Sequence, residues 1–489
     1  MSSRTATPTR TWLPLAVVLT TQMMIVLDSA IVNIALPDMQ QALHIQPANL
    51  SWVVNAYTLA FGGLLLLGAR AGDLFGRRTV FAVGMLLFTA ASLLGGFADA
   101  GADLFLARAA QGVGAALVAP SALAILMGLY PEPRDRTRAV GYYTIVSASG
   151  AAIGLIAGGL LTSYASWRWV MFVNVPIGLV VLVLSRAALP RGRGQAGRID
   201  VAGSLLSTAG MTALVYGFIR AAADGWGSGV ALASFAAALV LMTAFVLVER
   251  SVEHPITPLH LFADRERASA YVARLLLVAG SMGAFFFLSQ YFQLVLGWSP
   301  VRTGLAFVPF PVTVFVSSQL ATRVFVPRFG TRAVMLVGMA LSVLGLVLLT
   351  RLGVDSTYGQ LVGSMVLFAF GNGTAFVPLT DAGMARVPAH EVGIASGLVN
   401  VTQQVGGAVG LAVLVTVFAT AGPGAASSPT ASAHAKALFV LGADRGLGVA
   451  AALIAVAVVL VLSLAVRRRA PRPEMGLLEE EARVLEPAA

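Results

Sequence analysis

Along this chain, apolar stretches long enough to cross a bilayer alternate with short polar turns, and the pattern occurs fourteen times. The runs lie near residues 12–36, 51–69, 79–98, 104–129, 139–162, 169–187, 201–219, 229–248, 269–293, 303–322, 333–350, 358–380, 392–419 and 446–466. A helix needs roughly 20 apolar residues to cross the hydrocarbon core of a membrane, and each run is about that long. Helices in the core of a water-soluble protein keep a polar face and are shorter, so the repetition excludes that architecture. The first run is too long for the core of a cleaved secretory signal, and no small-residue cleavage site follows it, so it is expected to remain as the first span. The pattern predicts an all-α polytopic membrane protein with 14 transmembrane helices.

Composition agrees with the pattern. Only 11% of the 489 residues are charged and the mean hydropathy is +0.84, against about 25% charged in an ordinary soluble domain. The absence of cysteine excludes disulfides, thiolate metal sites and cysteine nucleophiles. A net charge of +10 raises the question of nucleic acid, and the placement of the charge answers it. The two tails and the even-numbered loops hold 24 of the 32 basic residues, the odd-numbered loops hold 6, and Arg108 and Arg274 fall inside spans. That bias is a topology signal, which puts both termini in the cytoplasm and leaves no nucleic-acid patch. The basic and acidic runs of the C-terminal tail, Arg467-Arg468-Arg469 and Glu479-Glu480-Glu481, are assigned no function.

Lys436 is the single lysine, so the chain has no P-loop. The five histidines, His44, His254, His260, His390 and His434, are read as loop residues, with no HExxH motif and no intramembrane cluster of carboxylates. An enzyme or a metal site is therefore not expected, and no loop is long enough for a catalytic domain.

Two short turns repeat. Phe75-Gly76-Arg77-Arg78 follows the second span and Phe329-Gly330-Thr331-Arg332 follows the tenth. Each lies between the second and third spans of a six-span unit. This divides the chain into a cytoplasmic tail 1–11, a first six-helix half 12–187, an inserted two-helix linker 188–250, a second six-helix half 251–466 and a cytoplasmic tail 467–489. Two parallel halves around a central cavity is the plan of alternating-access transporters.

Five motifs in order carry a resemblance: Leu27-Asp28-Ser29-Ala30-Ile31-Val32-Asn33-Ile34-Ala35-Leu36-Pro37 in the first span; Ala69-Arg70-Ala71-Gly72-Asp73-Leu74-Phe75-Gly76-Arg77-Arg78 in the second and its loop; Arg108-Ala109-Ala110-Gln111-Gly112-Val113-Gly114 in the fourth; Gly150, Gly154, Leu155, Gly158 and Gly159 in the fifth; and Trp167-Arg168-Trp169 with Asn174-Val175-Pro176-Ile177-Gly178 in the sixth. From about residue 12 to residue 466 the chain resembles the major facilitator superfamily, specifically its 14-span drug:proton antiporter branch. The loop motif departs from the usual pattern at Ala69 and Leu74, and the fifth-span motif has Leu155 where proline is usual. The resemblance implies a bacterial inner-membrane antiporter exporting amphipathic compounds, driven by the proton gradient with no cofactor, and working as a monomer. A dedicated transporter of one metabolite would share this architecture, and a membrane-embedded enzyme or receptor is the remote alternative.

Asp28 is the one carboxylate read as lying deep inside a span. A charge there costs about 2.5–3.5 kcal/mol on insertion scales, so it should face a wet cavity or a partner. Burial disfavours the charged form of a carboxylate, which suits it to take and release a proton near neutral pH. An isosteric Asn is cheaper to bury, so neutralising Asp28 is expected to leave the protein no less stable. Arg108 lies at a matching depth, and the resemblance implies that the first and fourth spans line one cavity, which makes Arg108 the expected partner. Arg274, near the start of the ninth span, is expected to snorkel to the interface.

The resemblance further implies that the loop Gly72, Asp73, Gly76, Arg77 and Arg78 holds the two halves together on the cytoplasmic side when the protein faces outward. Gly150, Gly154 and Gly158 recur every fourth residue and, with Gly159, form a small-residue stripe for close helix packing where the halves slide. Polar and aromatic residues within apolar spans are candidates to line the cavity: Asn33, Asn55, Tyr57, Gln111, Tyr143, Gln290, Gln293, Asn400 and Gln404, with Asn372 and Gln403 beside them. Met23, Met24 and Phe285-Phe286-Phe287 could adapt to irregular apolar ligands.

This topology has a direct test. Reporter fusions after residue 43 should read as external and fusions after residue 134 as internal; the reverse pattern, or a twelve-span one, would remove 201–248 as a spanning pair.

Overall fold

The computed structural model describes residues 12–465 apart from 131, 191–199, 253, 254, 256, 258, 352, 388–391 and 422–432. The tails with their charged runs, and His254 and His390, lie outside the described residues. Among the described residues the chain is helical without strands, and fourteen helices are long and apolar enough to cross a membrane. They are α1 (Trp12–Ala42), α2 (Trp52–Phe75), α3 (Arg77–Gly96), α4 (Gly101–Leu129), α5 (Pro133–Tyr164), α6 (Arg168–Ala188), α7 (Val201–Asp224), α8 (Gly229–Ser251), α9 (Arg265–Val295), α10 (Pro300–Phe329), α11 (Thr331–Leu349), α12 (Tyr358–Gly383), α13 (Val392–Ala419) and α14 (Ala433–Ala465).

Several ends lie beyond the sequence reading, among them α2 at Phe75, α5 at Pro133 and α10 at Phe329. Helix α1 continues through Pro37 to Ala42, because a proline removes one backbone donor without obliging the chain to leave the helix. Helix α14 begins at Ala433 instead of 446, since 433–445 is rich in good helix formers. Asp38, Asp444 and His434 therefore sit in helices, not loops. The basic residues of this early turn cap other helices: Lys436 Nζ donates to Val295 O at the end of α9 (2.8 Å), and Arg445 Nη1 donates to Thr420 O just past α13 (2.7 Å). Positive charge at a helix C-terminus meets both its unpaired carbonyls and its dipole.

The packing plan is used twice. Helix α1 packs on α5 and α6, α2 on α4, and α3 on α4 and α6; the same relations recur as α9 on α13 and α14, α10 on α12, and α11 on α12 and α14. The matching turns after α2 and α10 each reverse through one glycine, Gly76 at φ 89° and Gly330 at φ 81°. Only a residue without Cβ takes that backbone cheaply, which is why both turns are so short. The two groups meet along α2–α13 and α5–α10, and α7 packs against both α2 and α13 while carrying α8 on its far side. Thr416 Oγ1 on α13 donates to Phe218 O of α7 (2.8 Å), which ties the α7–α8 pair to that seam.

On the arginine-poor face the groups touch closely. Ser289 Oγ of α9 donates to Asn33 O of α1 (2.7 Å) and Gln293 Nε2 to Ile34 O (2.9 Å). A Cβ on Gly159 of α5 would lie 2.6 Å from Pro300 O and 2.7 Å from Val301 Cα of α10. Gly154 and Gly158 pack differently: their added Cβ atoms would meet Leu27 O at 3.0 Å and Ile31 O at 2.8 Å, both on α1. The glycine stripe thus holds α5 to α1 within one group, and Gly159 alone of the four faces the other group. A cavity of about 1730 Å³ lies between the groups and reaches Asp73, Arg77 and Asp381 at the arginine-rich face.

Because the chain contains no cysteine, one introduced at Val377 on the cavity wall reports access directly. Gly159→Leu should wedge the closed face apart and slow labelling of the Val377→Cys thiol from the arginine-rich side several-fold, with Gly159→Ala between it and the parent. Unchanged labelling in both would show that the α5–α10 contact does not control which face is open.

Candidate functional site

The site is built around one carboxylate. Asp28 is fully buried at mid-helix in α1, and Arg108 Nη1 of α4 donates to its Oδ2 at 2.6 Å. Its other oxygen accepts from Asn174 Nδ2 of α6 (2.7 Å) and from Gln111 Nε2 of α4 (3.2 Å). Arg108 also donates through Nε to Val53 O (3.0 Å) and through Nη1 to Gln111 Oε1 (2.9 Å), and Gln111 Nε2 also reaches Ser92 Oγ of α3 (2.7 Å). Five helices of the first group therefore converge on one ion pair. Both oxygens of Asp28 are occupied by donors, the arrangement an ionised carboxylate needs away from water.

Tyr57 of α2 separates this cluster from the cavity. Its ring lies 4.4 Å from the Arg108 guanidinium carbon and also forms part of the cavity wall. A cation over an aromatic face is stabilised more strongly when water is excluded. Nearby on the wall, Tyr143 Oη donates to Gln22 Oε1 (2.5 Å) and Gln22 Nε2 to Ser147 Oγ (2.9 Å), which joins α5 to α1.

Of the expected lining residues, Asn33, Tyr57, Tyr143, Asn400, Gln403, Gln404 and Phe285 face the cavity. Gln111 does not, because it belongs to the Asp28 cluster. Asn55 is buried off the cavity, Gln290 turns back to Phe286 O (3.3 Å), and Gln293 is engaged in the closed face. Asn372 is held by Ser281 Oγ (2.5 Å). Phe286 and Phe287 are buried in one apolar cluster and Met24 in another.

Arg274 overturns the snorkelling expectation. It is 3% exposed, points into the protein, and donates to Thr380 Oγ1 (2.6 Å) and Gln403 Oε1 (2.9 Å), with its guanidinium 4.0 Å from the Phe376 ring centre. Helix α9 starts well below it, so the side chain would have to climb several turns to reach the interface, whereas α12 and α13 offer acceptors at its own depth.

In the turn after α2, Arg77 pairs with Asp73 at 3.2 Å and donates to Ala124 O (3.2 Å), and Arg78 donates to Arg186 O (2.5 Å). These partners all lie in the first group. Gly72 lies against Ser121 of α4, 3.2 Å from where its Cβ would be.

The comparisons with known proteins agree with this architecture. Residues 18–411 match the model of the Major Facilitator Superfamily. The chain belongs to that superfamily. It is 45% identical over 413 residues to the puromycin resistance protein pur8 of Streptomyces alboniger, covering 83% of this chain and 82% of that one. It is 39% identical over 434 residues to the cephamycin export protein CmcT of Amycolatopsis lactamdurans, covering 88% of each. The crystal structure of a bacterial homologue of the lysosomal transporter Spinster superposes with a TM-score of 0.67 at 14% identity, covering 96% of this chain and 100% of that one, which is likeness of fold.

Within this superfamily chain, Ser92, Gln22 and Asn174 were not singled out from the sequence as site residues. Asn174 had a visible signal, a polar residue opening an apolar span inside a quoted motif; Ser92 and Gln22 had none, because their role depends on which helices meet.

The pairing changes the stability expectation for Asp28. With Arg108 beside it, neutralising either partner strands the other charge in the interior, at a cost of about 3–5 kcal/mol. Asp28→Asn and Arg108→Leu should each lower the thermal midpoint of detergent-purified protein, and the double variant should lose much less than the sum. Additive losses would show that the two charges are not energetically coupled.

Proposed function

We propose that this chain exports amphipathic organic compounds, antibiotics among them, in exchange for protons by alternating access. The observation that carries the reading is the buried Asp28–Arg108 pair set behind Tyr57 on the wall of a large, mostly apolar cavity. The names of the relatives, a puromycin resistance protein and a cephamycin exporter, supply the substrate class.

The arginine-rich face is cytoplasmic by the positive-inside bias, so both termini are inside, and the membrane is the bacterial inner membrane. In this arrangement the cavity is open to the cytoplasm and closed outside by the α1–α9 and α5–α10 contacts. The chain is two six-helix halves with the inserted pair α7 and α8, and it works as a monomer without a cofactor.

Both oxygens of Asp28 accept hydrogen bonds from side-chain donors here. When the outside face is open, a proton reaches it and removes the countercharge of Arg108, and the neutral acid no longer holds α1 against α4 and α6. Because Arg108 rests on the ring of Tyr57, an aromatic or cationic occupant of the cavity disturbs the same contact from the other side. Proton and substrate are therefore coupled through one cluster, each weakening the binding of the other. In the outward-facing state the turn Gly72, Asp73, Gly76, Arg77 and Arg78 closes the cytoplasmic side against the second half.

The test is proton release on adding puromycin to purified protein in weak buffer. The parent should release protons, with binding weakening as pH falls, and Asp28→Asn should reduce the release to background. Equal release from both would take Asp28 out of the coupling role. Protection of growing cells against one compound of a varied panel, and no other, would narrow the function to a dedicated exporter.

A further inference from the structure

A second buried arginine lies in this cavity, and its surroundings differ from those of Arg108 in one respect. Arg108 has a carboxylate at 2.6 Å. Arg274 has only neutral acceptors, the hydroxyl of Thr380 and the amide oxygen of Gln403, and among the described residues no carboxylate comes within 4.0 Å of it. Its Nε is buried with no acceptor. The guanidinium is nonetheless permanently charged, and an uncompensated charge in a membrane interior is costly.

We propose that Arg274 is an anion subsite of the transport cavity, which takes the carboxylate or another acidic group of an amphipathic substrate. Three features point to a ligand instead of simple helix packing. First, Arg274, although buried, borders the cavity, which Arg108 does not. Second, its geometry is fixed in advance: Phe376 supports one face of the fork, and Thr380 and Gln403 hold one donor from each terminal nitrogen. A planar guanidinium held in place loses little freedom when it accepts an anion. Third, the cavity nearby is apolar, with Phe376, Val377, Met282 and Phe285 on its wall, so an acid bearing a hydrophobic body satisfies both parts. The pairing of a few placed polar groups with apolar walls is what a small-molecule site requires.

The protein also carries an internal competitor. Asp381 follows Thr380 at the end of α12, lines the same cavity and remains exposed. Its negative charge on the same wall opposes an incoming acid. The two residues then act in opposite directions on acidic substrates.

This inference deepens the efflux reading and rests on its cavity being the binding site, but it does not depend on proton coupling. The test is accordingly an equilibrium binding measurement with purified full-length protein in detergent. The probes are dansylaminohexanoic acid and its methyl ester, which share a fluorescent apolar body and differ in the charge. The parent should bind the acid at least about tenfold more tightly than the ester, the scale of one hydrogen-bonded charge pair. Arg274→Gln should abolish that preference by weakening the acid alone, Arg274→Lys should keep part of it, and Asp381→Asn should strengthen the acid while leaving the ester unchanged. Asp381→Asn leaves the Arg274 contacts intact, so it decides the matter even if the arginine variants do not fold. A preference for the acid that survives Arg274→Gln, or no preference in the parent, would overturn the subsite. Failure of both probes to bind the parent would overturn the cavity reading beneath it, whereas loss of puromycin-driven proton release with acid selectivity intact would leave the subsite standing and remove only the coupling.

Discussion

The ion pair between Asp28 and Arg108 sets the terms for the first half of the molecule. In hydrocarbon no water can satisfy a charge, so each charged atom must find its partners within the protein. Arg108 and Asp28 do this with backbone and side chains from α1, α2, α4 and α6, and through Gln111 with α3. The cost of leaving any of them unpaired fixes where five helices can sit relative to one another. Under the proposed antiport the same network is what a proton acts on, since a proton on Asp28 would compete with its hydrogen-bond donors. A purely apolar core could hold the helices as well, but it would have nothing for a proton to act on.

Between the two halves the physics is different. Contacts there are made by small residues and by hydrogen bonds to backbone carbonyls: Gly159 against Pro300, Gly304 against Leu155, and the Ser289 and Gln293 side chains on Asn33 and Ile34. Lipid tails are as apolar as leucine, so close backbone approach and a few hydrogen bonds are what membrane helices have to associate with. Such contacts are specific in geometry and modest in energy. Under the proposed alternating access, that combination suits a face that both closes and reopens. Helix α7 lies across the α2–α13 seam and shares hydrogen bonding with α13, so it braces that seam.

The spans were legible because their signal is local: roughly 20 apolar residues between polar turns is a one-dimensional pattern, and fourteen of them appear in both readings. The repeat was legible for a related reason, since a single-glycine reversal at Gly76 and Gly330 leaves the same short signature twice. The ends were less so. The first apolar run ends at residue 36 while the helix continues through Pro37 to Ala42, and Lys436 and Arg445 read as loop charge while they cap the carbonyls of α9 and α13. Cavity lining was legible only in part. Whether a glutamine faces a cavity or a neighbouring helix depends on the rotation of its helix, which no sequence spacing in an all-apolar helix reveals; Gln404 and Gln111 illustrate the two outcomes.

Arg274 shows where that limit matters most. From the sequence it is one arginine near a span end, and the general rule sends it to the interface. That rule holds when the nearest polar environment is the headgroup layer. Here the nearest polar environment is the cavity, with Thr380 and Gln403 at its own depth, so the side chain turns inward and stays buried. Arg108 and Arg274 thus answer the same desolvation cost in opposite ways. Arg108 carries its countercharge within the fold and takes part in every state through it. Arg274 holds two of its donors on neutral oxygens and leaves its charge uncompensated within the cavity wall. A charge left in that condition gains most from whatever anion enters, so the part of the cavity least satisfied by the protein is the part with the greatest capacity to select among its occupants.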